Sequence, residues 1–311
     1  MTKEERKLKE MQLKQLQALP LEIKIEKTKQ RIREFYNELG GKVYISYSGG
    51  KDSTVLLDIV RSLYPNVLAV YSDTGLEYPE LKNFVKKQSN VEIIRPKLTF
   101  DKVIDKVGFP IISKEVSLLV YYAKKGSKWA LYKLEGKDNK GNDDKFKHQY
   151  MKYKYLVDSP FKISDKCCYV MKKEPFKLFE RERELSPIIG TMAEESNMRK
   201  DSWIKNGCNA FNSDRVSSQP LAFWTEQDIL QYIKDNNLEV ASVYGELIEE
   251  NGKLKFSKAQ RTGCMWCPIG VHLDKGKNRF ERMKETHPQI YDYCINKLGL
   301  NKVLDYVGIK Y

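Results

Sequence analysis

One short segment, Ser46-Tyr47-Ser48-Gly49-Gly50-Lys51-Asp52-Ser53-Thr54, constrains this chain more than any other. It overlaps the end of an apolar run, Val43 to Ser48, that reads as a strand, and it opens a helical pattern from Ser53 to Leu63. Two glycines let a bound group approach the backbone, and a helix N-terminus offers free N–H groups and the positive end of a dipole. Ser48 and Ser53 add hydroxyls, and Lys51 adds charge. Together they read as a phosphate cradle. The G-x-x-x-x-G-K-[ST] spacing of a Walker A loop is absent.

The surrounding pattern agrees with a strand-to-helix corner. Val67 to Ser72 and Val91 to Pro96 read as further strands, with a helix from about Tyr78 to Lys87 between them. Pro187 to Thr191 makes another strand much later. Such a βαβαβ series implies a mainly parallel sheet with helices on both faces. Residues 1 to about 38 read as helix broken once at Pro20, and Gly40-Gly41 ends them. In the last third, Thr225-Glu226-Gln227-Asp228 is a capping box, and helices are expected over Arg279–Glu285 and Pro288–Leu298. The expected organisation is therefore a helical segment over 1–39, an α/β domain over 40–220 and a mostly helical section over 221–311.

The chain has 311 residues, 41% of them hydrophobic, which is ample for a full core. No apolar run approaches the ~20 residues that span a bilayer. The Lys- and Glu-rich start has no apolar signal region, so a cytoplasmic protein is expected. Lys and Arg number 55 against 42 acidic residues, a net +13 that favours polyanionic partners. The excess is conspicuous in an insertion at about 124–155, where Lys124, Lys125, Lys128, Lys133, Lys137, Lys140, Lys145, Lys147, Lys152 and Lys154 alternate with Trp129, Tyr132, Phe146, Tyr150, Tyr153 and Tyr155. Lysines hold phosphates while rings stack on bases, so this stretch reads either as a single-strand nucleic-acid surface or as a β-hairpin whose rings pack on its own domain. Gly136 to Asp144 reads as the turn.

The six cysteines are Cys167, Cys168, Cys208, Cys264, Cys267 and Cys294. In a reducing compartment the Cys167-Cys168 pair and the Cys264-x-x-Cys267 pair read as metal ligands. Thiolate sets suit an iron–sulfur cluster or zinc, and buried metal-free thiols are a third reading. Adjacent cysteines chelate a single zinc ion awkwardly, whereas a cluster offers separate iron corners. Cys208 is a substitute for one of the tandem pair, and Cys294 reads as core.

Four motifs in order resemble the phosphoadenosine phosphosulfate (PAPS) reductase family of the PP-loop adenine nucleotide alpha-hydrolases. They are Ser48-Gly49-Gly50-Lys51-Asp52-Ser53, then Asp73-Thr74-Gly75-Leu76-Glu77-Tyr78-Pro79, then Gly190-Thr191-Met192-Ala193-Glu194-Glu195-Ser196 with Arg199, then Pro220-Leu221 with Trp224-Thr225 and Asp228. The resemblance implies a Rossmann-like fold and a nucleotide, either ATP or PAPS/adenosine phosphosulfate, held by Ser46, Ser48, Gly49, Gly50, Lys51, Asp52, Ser53, Asp73, Thr74 and Gly75. It implies catalytic roles for Lys51, Asp52, Asp73 and Arg199, with Asp73 helping to hold Mg2+ and Lys114 as a further anion-neutralising residue. It also implies a four-iron four-sulfur (4Fe-4S) cluster on Cys167, Cys168, Cys264 and Cys267.

Two departures shape the expected reaction. The intact Gly49-Gly50-Lys51-Asp52, where assimilatory reductases usually have G-A-E-D, points to cleavage of ATP to AMP and pyrophosphate for sulfur transfer, with nucleic acid as one acceptor. The reductases' E-C-G-L-H segment is missing from this sequence, and Met192 stands where the family often has Arg. The alternatives are a PAPS or adenosine phosphosulfate reductase releasing sulfite, and a non-catalytic nucleotide- or nucleic-acid-binding module with a structural metal. A sulfur- or electron-donor protein is the implied partner, and no membrane.

Overall fold

The computed structural model describes residues 1–274 and 276–311, the side chains of residues 145–147 excepted. The chain folds into two compact units that do not follow chain order. The first comprises Met1–Asp73, Glu77–Ile94 and Phe176–Thr262; the second comprises Thr74–Leu76, Arg95–Pro175 and Gly263–Tyr311.

The first unit is built on strands β1 (Val43–Ser46), β2 (Ala69–Ser72), β3 (Val91–Ile94), β4 (Ser186–Ile189), β5 (Asn209–Ala210) and β6 (Ser217–Ser218), in the order β3-β2-β1-β4-β6-β5. All neighbours run parallel except β5 against β6. Val43, Tyr44 and Ile45 of β1 are all buried, as a central parallel strand covered on both faces requires. The expected α/β class, with its mainly parallel sheet, is therefore the observed one.

Two N-terminal helices, α1 (Lys3–Gln17) and α2 (Leu21–Glu38), precede the sheet, and Pro20 separates them. Thr2 and Glu5 form a capping box on α1. Helix α2 buries Ile32 and Phe35 in the core. It is also pinned by buried polar groups: Trp224 Nε1 donates to Thr28 Oγ1 at 2.8 Å, and Thr28 Oγ1 donates to the Pro220 carbonyl at 3.2 Å. Lys24, 2% exposed, reaches Asp228 Oδ2 at 2.6 Å and the Gln17 carbonyl at 2.7 Å. The Pro220, Trp224 and Asp228 motif thus docks the N-terminal helices. Helices α3 (Lys51–Leu63) and α4 (Pro79–Lys87) follow β1 and β2.

Strands β7 (Leu247–Glu250) and β8 (Lys253–Phe256) form a separate antiparallel hairpin in this unit. Its two-residue turn, Asn251-Gly252, has positive φ at both positions, +52° and +71°, as a type I′ turn demands. The expectation of a mostly helical last third misses this hairpin.

The second unit is helical, with Phe100–Val107, Lys114–Ala123, Lys128–Leu134, Arg279–Thr286, Pro288–Asp292 and Leu300–Tyr306. The helix expected over Pro288–Leu298 changes to a π-turn at Tyr293–Lys297. The insertion at 124–155 is not a β-hairpin. It holds the helix Lys128–Leu134, a single antiparallel bridge from Lys137 to Asp143 across the expected turn, and a run of 3-10 turns over Lys145–Asp158. The side chains of Lys145, Phe146 and Lys147, part of the basic and aromatic pattern, lie outside the described residues.

Candidate active site

In an open parallel sheet, ligands bind beyond the carboxyl ends of the strands, where successive crossovers leave on opposite sides. The order β2-β1-β4 puts that point between β1 and β4. The phosphate-loop candidate, Ser48 to Lys51, follows β1, and Gly190 follows β4. A Cβ on Gly190 would stand 3.1 Å from the Asp52 carbonyl oxygen, so only glycine lets the two segments meet this closely. Beside them lies a cavity of about 250 Å³ lined by Lys51, Asp52, Met192, Glu194, Glu195, Glu226 and Arg261.

The loop is shaped from both sides. Gly49 has φ +72°, and a Cβ there would sit 2.7 Å from Val85 Cγ2 and 3.3 Å from the Leu81 carbonyl of α4. Every donor traced in the loop meets a protein acceptor. Ser48 N–H donates to Ser53 Oγ at 3.2 Å, and Gly50 N–H donates to Ser48 Oγ at 3.3 Å. Ser53 Oγ donates to the Gly50 carbonyl at 2.9 Å. Lys51 N–H, a first-turn amide of α3, donates to Tyr244 Oη at 3.0 Å. Hydroxyl oxygens thus stand where an anion's oxygens would be held. Ser46 is set apart: it is the last residue of β1, in register with Val70 and Ile189.

The charged groups are few and close. Lys51, 4% exposed, donates to the Gln260 carbonyl at 3.0 Å and lies 3.4 Å from Glu226 Oε1 and 3.7 Å from Asp52 Oδ1. Asp52 Oδ1 is buried and accepts no hydrogen bond. Burial raises the Asp52 carboxyl above its ordinary range, against the pull of Lys51. Arg199 and Arg261 both grip Glu195, and burial lowers the Arg199 guanidinium, with Arg261 adding to the effect. Arg199 therefore lies among the cavity's charges, as its motif implies. Asp73, 7% exposed, ends β2 and pairs with Lys82 of α4 at 2.8 Å. A Mg2+ ion on Asp73 would have to displace that ammonium.

Thr74 and Gly75 belong to the second unit. Thr74 is buried and its Oγ1 accepts the Leu76 N–H at 3.2 Å, while Gly75 is exposed with φ +73°.

The four motif cysteines all fall in the second unit and none is in a disulfide. Cys167 is 5% exposed in an apolar cluster with Phe100, Val103 and Met171, against which Cys264 and Trp266 pack. Burial first, then the nearby Cys168 and Cys267, pushes the Cys167 thiol up to about 12. Burial and Cys168 also raise Cys267, while the charges of Arg279 and Lys114 oppose the shift. The sulfurs are thus neighbours in a dry setting flanked by cations. Among the described residues, no three His, Cys, Asp or Glu side chains converge as one metal ion needs. This donor set fits a multinuclear cluster, which takes each thiolate at its own iron, better than a single zinc. Cys208 packs instead against the core of the first unit, and Cys294 is fully buried.

Sequence reasoning misses Tyr244, Gln260, Arg261 and Thr262, which meet the loop from 200 residues away. Only tertiary structure reveals them, since nothing in their local pattern marks a site.

Comparison with known proteins agrees with this geometry. The family model described as phosphoadenosine phosphosulfate reductase domain matches residues 42–108 and 122–269. The chain is 26% identical over 259 residues to the adenosine 5'-phosphosulfate reductase of Oceanobacillus iheyensis, covering 81% of each chain. An uncharacterized protein of Methanocaldococcus jannaschii is 24% identical over 279 residues; that match takes in 86% of this chain but spans about half, 51%, of the relative. A PAPS reductase from Candida auris, solved with phosphate, aligns over 81% of this chain and 98% of its own at 14% identity, with a TM-score of 0.40. No helix among the described residues is long and apolar enough to cross a membrane. With the matched segments covering more than half of the chain, it belongs to the phosphoadenosine phosphosulfate reductase domain family.

Proposed function

We propose that the protein binds ATP at the loop Ser48–Ser53 and cleaves it to AMP and pyrophosphate in a cytoplasmic sulfur-transfer reaction. The observation that carries this reading is the closed set of loop donors at the β1–β4 switch point, with the Lys51 ammonium held beside it. Adenylation would turn an acceptor oxygen into a good leaving group, AMP, which a sulfur nucleophile then displaces. Backbone N–H groups and Lys51 would carry the departing pyrophosphate charge, and Arg199 the charge gathering at phosphorus. Asp73, with substrate oxygens, would hold Mg2+, which needs only one or two protein carboxylates.

Cys167, Cys168, Cys264 and Cys267 would hold a 4Fe-4S cluster, which supplies a soft centre able to bind sulfur or accept electrons. The protein's own part is to bury the thiols and set Lys114 and Arg279 near Cys267.

Nucleic acid is the proposed acceptor. Tyr121 Oη accepts from Lys125 Nζ at 2.7 Å and Lys166 Nζ at 2.9 Å, so two ammonium groups converge on one neutral oxygen. Exposed Trp129 and Tyr122 lie beside each other, ring centroids 5.6 Å apart. Ammonium pairs suit phosphates, and exposed rings suit bases.

The second reading is an adenosine phosphosulfate or PAPS reductase, favoured by the reductase names of several relatives. Parallel incubation with ATP, PAPS and adenosine phosphosulfate separates the two. Pyrophosphate from ATP supports the first reading. Sulfite from a sulfonucleotide, with no pyrophosphate, supports the second. Binding without turnover, unchanged by Lys51→Ala, would leave only a binding module.

A further inference from the structure

Gly50 has φ −75° and ψ 158°, a conformation any residue adopts, so its lack of a side chain is not a backbone requirement. The space that side chain would take is bounded by three hydroxyls. From the position of a Cβ, Ser48 Oγ is 3.2 Å away, Tyr244 Oη 3.4 Å and Thr262 Oγ1 3.6 Å. One small atom placed there is within reach of all three. Tyr244 and Thr262 come from the far end of the first unit and touch each other at 2.8 Å.

The donor count shows what such an atom must be. Tyr244 Oη already accepts the Lys51 N–H, so its remaining contribution is its own proton. Burial pushes this phenol up to about 12, so it keeps that proton at neutral pH. A threonine and a serine hydroxyl can also donate. Three O–H groups around one vacant position, next to a helix N-terminus, select an oxyanion oxygen.

We propose that Tyr244 and Thr262 are phosphate-binding residues, whose hydroxyls join Ser48 to hold one oxygen of the phosphoryl group seated over Gly50. The proposal rests on the reading of the loop as an anion site and extends it to two residues outside the family motifs. A sulfuryl oxygen of an adenylyl sulfate has the same tetrahedral oxyanion chemistry, so the test must tell the two sources apart. Thr262 and Tyr244 now share a hydrogen bond, and the incoming oxygen replaces each as the other's partner.

The test is calorimetric titration of the full chain with inorganic pyrophosphate, sulfate and AMP. Tyr244→Phe and Thr262→Val are each expected to weaken pyrophosphate about tenfold, the loss typical of one hydrogen bond to a charged group. Their AMP affinity should stay within about twofold. Gly50→Ala, whose methyl group fills the position, should weaken pyrophosphate at least as much. Tyr232→Phe, another buried phenol that bonds Asp58 away from the loop, should change neither. A purely structural role would lower pyrophosphate and AMP binding together, and that result overturns the proposal. So does wild-type pyrophosphate affinity in both Tyr244→Phe and Thr262→Val. Selective loss of sulfate rather than pyrophosphate supports the subsite with a sulfuryl ligand. If the wild-type protein binds none of the three anions, the loop reading itself fails, and this proposal with it.

Discussion

At the scale of single residues, Asp52 shows how the site trades stability for chemistry. Its Oδ1 is buried without a hydrogen bond, and burial raises its acid constant above the unfolded value of 3.8. The native state therefore holds its proton to higher pH than the unfolded chain. Stability from this group is fully present below about pH 3.8 and is lost as pH rises through the native value. Asp52→Asn removes that loss. We predict a higher melting temperature than wild type at pH 7, a gap that closes toward pH 4, and nucleotide cleavage reduced about 100-fold or more. Thermal melts across pH with a pyrophosphate assay check both; a variant less stable at pH 7 contradicts the account. Gly49 is held by geometry instead. With φ +72° and Val85 2.7 Å from any Cβ, Gly49→Ala should cost about 1–3 kcal/mol in urea denaturation. The loop residues were legible because glycine, serine and lysine at a strand-to-helix corner have one shared chemistry. Tyr244 and Thr262 were not, because a phenol or hydroxyl is a ligand only once the fold delivers it.

At the scale of elements, burial decided what the sequence disclosed. Strands β1, β2 and β4 read clearly as apolar runs, and helix α3 read clearly from its amphipathic spacing. Strands β5 and β6 have two residues each, too few for any periodicity. The β7–β8 hairpin did carry a signal, Asn251-Gly252 between short runs, with Leu254 and Phe256 alternating inward. Its lysines and glutamates resemble a solvated helix face just as well. The motif ending at Asp228 was read for its nucleotide association, yet its contacts are structural. Asp228 caps the helix Glu226–Asp235 through Thr225 and holds buried Lys24. Asp228→Ala leaves that ammonium unpaired, so we predict a loss of about 3–5 kcal/mol in urea denaturation. Lys24→Met with Asp228→Ala should recover much of it. A loss under ~1 kcal/mol in the single variant would show that Lys24 finds water instead.

At the scale of the whole molecule, the two units divide the chemistry between them. The first holds the loop, the cavity and the arginines; the second holds the four motif cysteines and the cationic aromatic patch. The cysteine spacing disclosed a metal set, but the thiols' burial and mutual influence are properties of the fold. Anaerobic protein is predicted to absorb broadly near ~400 nm and to lose that band with Cys167→Ser. In metal-free protein, alkylation of Cys167 at pH 8 should be slow, because a thiol raised to about 12 is almost wholly protonated. Colourless, zinc-loaded protein would contradict the cluster.

The most direct test of the whole account is a crystal structure with a non-hydrolysable ATP analogue. The account predicts phosphate oxygens within hydrogen-bond distance of the amides of residues 49–53, with the contact from Lys51 N–H to Tyr244 exchanged or shared. An analogue bound with its phosphates away from that loop would contradict it.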